Sequence, residues 1–142
     1  MKRILFVLVT LVLFSCADAP KNYATISGKI TNQTSDSLVI RKQSYSKTIP
    51  VADDGSFKDT LKVEPGVYTL YDGREATSLF LRNGFDIQVT LDTKLFDETV
   101  KYSGEGADIS NFLAEKTLLE DKLFDLVALI AMDSVSREAE FQ

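Results

Sequence analysis

The sequence predicts a mainly β protein, an antiparallel β-sandwich of about seven strands followed by a C-terminal amphipathic helix. Between residues 23 and 103, short stretches rich in Val, Ile, Thr, Tyr and Phe alternate with Gly, Pro, Asn and Asp. This spacing is typical of sandwiches and barrels. Several stretches also alternate apolar and polar residues, as strands with one buried face do. After Gly106 the apolar spacing changes to about 3.6 residues, which indicates a helix.

The first five strand candidates are separated by polar turns. They lie at residues 24–30, 38–40, 45–51, 57–63 and 67–71. The fourth is the most regular, because Phe57, Leu61 and Val63 share one face, which only Asp59 interrupts. The segment Asp53-Asp54-Gly55 before it has turn composition.

The strongest local signal lies at Asn83-Gly84, where residues 77–82 and 85–92 flank a two-residue loop. Because Asn-Gly favours the type I′ turn that joins paired strands, we expect a β-hairpin there. In its second strand, Phe85 and the apolar residues at alternate positions after it indicate one buried face. Residues 99–103 are the last strand candidate.

The helical segment begins near Asp108, where Asp108 or Ser110 is suited to cap it. Its apolar residues form one stripe, called the apolar stripe below: Phe112, Leu119, Leu123, Leu126, Val127 and Ile130. A stripe this wide needs a partner surface, either the sandwich or something outside this chain. We expect a break near Asp125 and a new helix from Asp133.

The N-terminus has the order of an export signal. Lys2 and Arg3 precede an apolar run at residues 4–14, and Ser15 then precedes Cys16. The run has eleven residues, fewer than the ~20 that a membrane-spanning helix needs. The predicted organisation is therefore a signal peptide (1–15), a lipidated linker (16–22), the sandwich (23–107), a helix (108–132) and the start of a truncated helical connector (133–142).

The tetrad Leu13-Phe14-Ser15-Cys16 resembles the lipobox of bacterial lipoproteins, which implies a lipid on Cys16. Cys16 is the one cysteine in the sequence, and a lone thiol without a disulfide partner suits this role. We expect an exported protein, lipid-anchored to the inner or outer membrane and facing the periplasm. The alternatives are a secreted protein in which Cys16 is incidental and a signal-anchor.

The net charge and the absence of histidine reduce the classes of function that the chain can have. Removing residues 1–15 takes away two basic residues, so the net charge falls from −5 to −7. This makes nucleic acid an unsuitable partner. Histidine is absent, which removes the commonest general base and zinc ligand. We expect no catalytic residue, no cofactor and no metal site.

Three groups of residues have both a functional and a structural interpretation. Asp53-Asp54-Gly55 suits a cation loop but lacks the ligand ladder of a calcium site, so a turn is favoured. The aromatic residues suit a platform for sugar or peptide, although aromatics in strands are usually core. The acidic side chains suit an acid–base pair, although solvated surface charge is the default. The aromatic set is Tyr68, Tyr71, Phe80 and Phe85, and the acidic set is Asp86, Asp92, Asp97 and Glu98.

A string of short motifs carries a family resemblance. The motifs are Asp54-Gly55-Ser56-Phe57, Asp59-Thr60-Leu61-x-Val63, Gly66-x-Tyr68, Leu81-Arg82-Asn83-Gly84-Phe85-Asp86-Ile87, Phe96-Asp97-Glu98, Tyr102-x-Gly104-x-Gly106-Ala107 and Asn111-x-Leu113-Ala114-x-Lys116. Their order resembles the N-terminal β-rich region of thioredoxin-like lipoproteins of Bacteroidetes, over residues 23–133. In that family a helical connector and a thioredoxin fold of the periplasmic thiol-disulfide reductase type follow. The sequence contains no Cys-x-x-Cys, so no active-site residue is carried over.

The resemblance implies a non-catalytic accessory module of a thioredoxin-like thiol-disulfide oxidoreductase. Its expected partners are the membrane, through the lipid, and a downstream thioredoxin-like domain or a second copy, through the helix residues Phe112, Leu119, Leu123, Leu126 and Ile130. The alternative is a stand-alone envelope protein that binds a glycan or peptide. An enzyme in its own right would need a pocket with carboxylates of perturbed pKa.

Overall fold

The computed structural model describes residues 20–140, with side-chain environments up to residue 130. Within this range, two four-stranded sheets pack face to face and a long helix follows them. The strands are β1 (Ala24–Thr31), β2 (Ser37–Lys42), β3 (Tyr45–Pro50), β4 (Ser56–Leu61), β5 (Gly66–Tyr71), β6 (Ala76–Leu81), β7 (Asp86–Asp92) and β8 (Lys101–Glu105). The helices are α1 (Phe96–Thr99) and α2 (Ala107–Glu140). The predicted mainly-β sandwich with a C-terminal helix is confirmed.

The first sheet has the order β4-β1-β7-β8 and the second has the order β3-β2-β5-β6. All neighbours are antiparallel except β1 and β7, which run parallel from the pair Thr25–Asp86 to the pair Thr31–Asp92. The expectation of a wholly antiparallel sandwich is therefore wrong at this pair. Parallel neighbours need a crossover connection. Here the chain between β1 and β7 forms the whole second sheet, together with β4 of the first.

The inward faces of the two sheets form one apolar core. Its fully buried members come from both sheets and include Ala24, Ile26, Leu38, Ile40, Ile49, Leu70, Leu79, Leu81, Ile87 and Val89. The middle of β1 carries Gly28, which pairs with Phe57 on one side and Val89 on the other. A Cβ atom on Gly28 would lie 1.9 Å from the carbonyl oxygen of Val89. Only glycine fits at this place.

The predicted hairpin at Asn83-Gly84 is wrong, because β6 belongs to the second sheet and β7 to the first. The segment does turn, since the Phe85 N–H donates to the Arg82 carbonyl at 3.2 Å. Gly84 has a positive φ and Asn83 does not, whereas a type I′ turn needs both. Asn83 Oδ1 instead accepts a hydrogen bond from the Val63 N–H at 3.1 Å.

The last strand begins at Lys101 and not at Thr99. Thr99 ends the single-turn helix α1, where its hydroxyl donates to the Leu95 carbonyl at 2.6 Å. The same hydroxyl accepts from the Asp92 N–H at 2.9 Å. Phe96, on the same turn, is 2% exposed. Burial of this ring and the bonds of Thr99 override the β preference of the threonine and valine.

One side of the sandwich is closed by an ion pair between strands of different sheets. Lys47 on β3 lies 3.1 Å from the Asp59 carboxylate on β4. Asp59 interrupts the apolar face of β4, and this pairing explains its place. The side chains are 43% and 22% exposed, so the charges keep part of their hydration.

The opposite side is closed by two adjacent residues of α2. Ser110, which is fully buried, accepts a hydrogen bond from the Phe80 N–H of β6 at 2.9 Å. The Asn111 side chain accepts from the Tyr102 N–H of β8 at 2.9 Å and donates to the Tyr102 carbonyl at 2.8 Å. Edge strands carry unpaired backbone groups that invite pairing with other chains. Helix α2 supplies partners for the Phe80 N–H of β6 and for the N–H and carbonyl of Tyr102 of β8, one residue on the edge of each sheet.

Helix α2 differs from its prediction at both ends. It begins at Ala107, so Ser110 is inside the helix and bonds β6 instead of capping the first turn. It continues without interruption to Glu140, so the expected break near Asp125 and the new helix at Asp133 are wrong. Backbone hydrogen bonds extend a helix cooperatively once it is nucleated, which favours one long helix over two short ones.

Substitution of Gly28 by alanine is expected to lower the free energy of unfolding by about 1–3 kcal/mol, because β1 must move away from β7 to admit the methyl group. Urea denaturation followed by circular dichroism measures the change. Lys29→Ala, at the exposed neighbouring position, is the control and is expected to stay within about 0.5 kcal/mol of the parent. Equal stability of Gly28→Ala and the parent would contradict the close approach.

Ser110→Ala is expected to lower the free energy of unfolding by about 1–3 kcal/mol, because the part-buried Phe80 N–H loses its acceptor. Thr117→Ala is the matched control, since Thr117 is exposed and its hydroxyl donates only within the helix, to the Leu113 carbonyl. The urea midpoint of Ser110→Ala should be clearly lower than that of Thr117→Ala. Similar midpoints would mean that the Ser110 contact contributes little to the closure of the sandwich.

Candidate functional site

The predicted lipidation residue, Cys16, lies outside the described residues, together with the predicted signal peptide. In the part of the chain from residue 20 to residue 140, no helix combines the length and the apolar character needed to span a bilayer. The lipid on Cys16 stays a prediction. The described residues offer two other features with functional potential, one on α2 and one at an end of the sandwich.

The first feature is the apolar stripe on α2, which the sandwich does not cover. Its exposed fractions run from 52% at Leu126 to 68% at Leu119. The sequence left two partner surfaces possible for the stripe, the sandwich or something outside this chain. The sandwich is excluded, because it leaves these residues exposed. Phe124 and Leu129, beside the stripe, are also more than half exposed.

The reason for this exposure is the rotation of α2 about its axis. The helix turns its small residues Ala107, Ser110 and Ala114 toward β6 and β8, where they are buried. Nine residues make about two and a half helical turns, so a residue nine positions further along lies about 180° around the helix. Leu119 therefore lies opposite Ser110, and Leu123 lies opposite Ala114. Anchoring through the small residues necessarily directs the stripe away from the sandwich.

The second feature is a cleft of about 570 Å³ at one end of the sandwich. It lies between the β2–β3 turn, the β4–β5 connection and the residues that precede β1 and β7. Its polar and aromatic lining consists of Asn22, Lys42, Gln43, Ser44, Tyr45, Lys62, Glu64, Tyr68 and Asn83. Lys42 and Lys62 outnumber the one carboxylate of the lining, Glu64, so the cleft has a positive balance on a chain of net negative charge.

The cleft side chains are held in place by packing. The Tyr45 and Tyr68 rings meet edge to face with centroids 5.5 Å apart, and Lys42 Nζ lies 5.2 Å from the Tyr68 centroid. The Tyr68 hydroxyl donates to the Glu64 carbonyl at 2.9 Å. Burial raises the pKa of both tyrosines, and so they stay neutral. The cleft can offer ammonium groups, amides and a half-buried ring to a ligand.

Two of the four acidic residues, Asp86 and Asp92, are too far apart to form an acid–base pair with each other. Asp86 and Asp92 stand at opposite ends of β7, about 20 Å apart at the usual rise per residue. Asp86 accepts a hydrogen bond from the Thr25 hydroxyl at 2.6 Å. Hydrogen bonds from the Lys94 N–H and the Asn32 amide lower the pKa of Asp92. Burial, together with Asp121 and Glu98, raises the pKa of Asp97.

The segment Asp53-Asp54-Gly55 forms the predicted turn. Asp54 Oδ1 accepts hydrogen bonds from the Ser56 N–H at 3.0 Å and the Ser56 hydroxyl at 2.6 Å. These bonds lower the pKa of Asp54. Among residues 20–130, whose side chains the structure describes, no three His, Cys, Asp or Glu residues come close enough to hold a metal ion.

The four aromatic residues do not form a shared platform. Tyr68 points into the core and is 3% exposed, and Phe85 is 6% exposed. Tyr71 lies on the other face of β5, with the Arg41 guanidinium 5.1 Å from its ring centroid. Phe80 packs with Phe85 at a centroid distance of 6.1 Å. Core packing accounts for Tyr68, Phe80 and Phe85, as the alternative interpretation predicted. It does not account for Tyr71, which lies outside the core.

Sequence reasoning missed the cleft residues Lys42, Tyr45 and Lys62. Lys42 and Tyr45 flank the β2–β3 turn, whereas Lys62 follows β4. They meet only because the end of β2, the start of β3 and the end of β4 lie on the same side of the sandwich. One signal was present: Lys42 lies just after the strand candidate 38–40 and Lys62 near the end of the candidate 57–63, close to loops, which often carry binding residues.

Comparisons with known proteins give distant structural similarity only. No protein-family model and no curated protein matches the chain. A solved DUF3823 family protein from Bacteroides ovatus ATCC 8483 aligns with 18% identity and a TM-score of 0.35, over 50% of this chain and 44% of its own. One from Parabacteroides merdae ATCC 43184 aligns with 16% identity and a TM-score of 0.35, over 61% and 48%. The chain thus spans less than half the length of these structures, and the similarity is too small to assign a family.

Proposed function

We propose that this chain is a membrane-anchored cell-envelope lipoprotein, and that its sandwich and helix are a non-catalytic accessory module of a thioredoxin-like thiol-disulfide oxidoreductase. The lipobox-like residues before Cys16 support the anchor. The motif order from Asp54 to Lys116 supports the link to thioredoxin-like lipoproteins. A module without histidine, and with its one cysteine at the predicted lipid site, supplies position and contacts to a neighbour that performs the exchange.

The observation that carries this proposal is the construction of α2. Ser110 and Asn111 fix its first turns to both sheets. From Leu119 to Glu140 the same helix extends for about 32 Å at 1.5 Å per residue. All of the apolar stripe except Phe112 lies in this part, beyond the anchored turns. A helical arm of this length suits a connector that holds a neighbouring domain away from the sandwich.

The anchor is expected to depend on one sulfur atom. Cys16→Ser should abolish incorporation of radioactive palmitate and release the protein from membranes, because several acyl chains each contribute about 0.8 kcal/mol per buried CH₂ to membrane binding. Ser15→Ala keeps a small residue before the cysteine and is expected to retain the label. Label on the Cys16→Ser protein would contradict the proposed anchor.

The link to thiol-disulfide exchange is expected to be visible in the gene. The reading frame beyond the codon for Gln142, or the adjacent gene, should encode a thioredoxin-like segment with Cys-x-x-Cys. DNA sequencing of the locus tests this. If neither encodes such a segment, the accessory role is excluded, whereas the anchor at Cys16 is unaffected.

A second candidate function is binding of a glycan or peptide by the cleft at the end of the sandwich. The observation that favours it is the convergence of Lys42, Lys62 and the half-buried Tyr45 on one cleft. Ammonium groups bind carboxylates, and a half-exposed tyrosine offers a ring face and a hydroxyl. An acidic glycan or the carboxylate of a peptide has the complementary chemistry.

If the cleft binds such a ligand, the Lys42→Ala/Lys62→Ala chain should lose at least about tenfold in affinity, since a hydrogen bond to a charged group contributes about 1.5–3 kcal/mol. An array of acidic and neutral glycans, and peptides with free and amidated C-termini, measures this. Lys58→Ala is the control, because Lys58 is exposed on β4 and does not line the cleft. Equal binding by all three proteins would exclude the cleft as the site.

A further inference from the structure

The exposed apolar residues of α2 follow the alternating spacing of a coiled coil. Steps of three and four residues connect seven positions, which we call the heptad seam: Ile109, Phe112, Lys116, Leu119, Leu123, Leu126 and Ile130. This 3.5-residue period keeps one face turned toward a neighbouring helix over three heptads, as in a left-handed coiled coil. Lys116 is the one polar residue among the seven.

The seam is open along its whole length. Ile109 is 44% exposed although α2 is anchored to the sandwich at the next residue, and Phe112 is 63% exposed. Of the side chains that bond the sandwich, Ser110 lies on the opposite side of the helix from the seam, and Asn111 lies about 100° around the helix from Phe112. A second helix can therefore lie against the seam from Ile109 onward without displacing the strands.

The area offered is suitable for a dimer. A side chain of this size presents on the order of 100 Å² of apolar surface, so the six apolar seam residues offer roughly 600 Å² per chain. Standard interfaces bury about 800 Å² per partner. Val127 and Leu129, which flank the seam and are 56% and 65% exposed, extend the patch toward that value.

The charges beside the seam favour a protein over a membrane surface. Helices that lie on membranes carry Lys and Arg on their polar face. From Ala107 to Ile130, α2 has five acidic residues, Asp108, Glu115, Glu120, Asp121 and Asp125, and two basic ones, Lys116 and Lys122. An anionic lipid surface would repel this helix.

We propose that the heptad seam pairs with the same seam of a second copy of this chain, as a parallel two-stranded coiled coil. In such a coil each seam residue fits between four residues of the facing helix. Lys116 of each copy then lies beside Glu115 of the other copy. Two-fold symmetry produces this Lys–Glu contact twice, so the positive charge of each Lys116 is compensated. Lys116 bonds Glu120 of its own helix at 2.7 Å, and Glu115 adds the contact between copies.

The parallel direction rests on the proposed anchor at Cys16, since two copies held by lipids in one membrane send their helices the same way. The pairing itself does not depend on the anchor. Cys16→Ser is therefore expected to release the protein from membranes without separating the two copies. This makes failure of the anchor distinguishable from failure of the dimer.

Sedimentation of the full chain in mild detergent tests the pairing. The parent should sediment as a dimer, and Leu119→Glu/Leu126→Glu should raise the dimer dissociation constant at least about 100-fold, because buried leucines are replaced by charges. Thr117→Glu adds a charge at an exposed position outside the seam and is expected to stay dimeric. Circular dichroism verifies that each variant is folded. A monomeric parent, or equal loss of the dimer in Thr117→Glu, would overturn the proposal.

Cysteine cross-linking tests the direction. Leu126→Cys should form a disulfide between two copies, since equivalent seam positions face each other in a parallel coil. Asp125→Cys, one residue away and outside the seam, should not. A dimer by sedimentation without the Leu126→Cys cross-link would overturn the parallel arrangement, and a cross-link to a different protein would overturn the choice of a second copy.

Discussion

Two neighbouring side chains on one helix hold the open side of the sandwich together, and the rest of the structure depends on them. Ser110 binds the backbone of β6 and Asn111 binds the backbone of β8, each where an edge strand would otherwise present unpaired groups. Because β6 and β8 belong to different sheets, the pair also fixes the distance between the sheets on that side. The Tyr102 hydroxyl adds a bond to the Ser78 carbonyl at 3.3 Å. Two adjacent polar side chains of the helix thus bond the backbones of edge strands, as a further strand would.

The same constraint determines what α2 can offer to other molecules. Ser110 and Asn111 bond the strands only if their side of the helix faces the sandwich, and small residues at 107 and 114 let the helix approach closely. The leucines nine positions further along then point outward. The exposed apolar stripe is therefore a direct consequence of the hydrogen bonds that close the sandwich. The proposed connector and the proposed dimer both use the surface that this rotation leaves free.

The two sides of the sandwich are closed by different chemistry, and this bears on where ligands could bind. The β3–β4 side has one partly hydrated ion pair, Lys47–Asp59, whereas the β6–β8 side is covered by a helix. Surface ion pairs of this type contribute about 0–1 kcal/mol, so the β3–β4 side is held mainly by the core beneath it. The cleft lies at an end of the sandwich, where the β2–β3 turn adjoins the β4–β5 connection. Most of its residues come from the connections between strands, which are freer to serve binding than the paired strands, and Lys42, Tyr45 and Tyr68 come from strands.

The sequence by itself determined the strands, the helix and the class of fold, because the periods of 2 and 3.6 residues are set by local backbone geometry. It identified the turn at Asp53-Asp54-Gly55 for the same reason. Only the tertiary structure decided which strands pair. Asn83-Gly84 connects two sheets, whereas Gln43-Ser44, which lacks glycine, forms the two-residue hairpin between Lys42 and Tyr45. The parallel pairing of β1 with β7, the assembly of the cleft and the rotation of α2 were likewise decided by contacts between distant residues. Those contacts depend on the whole core, and no local window of sequence contains them.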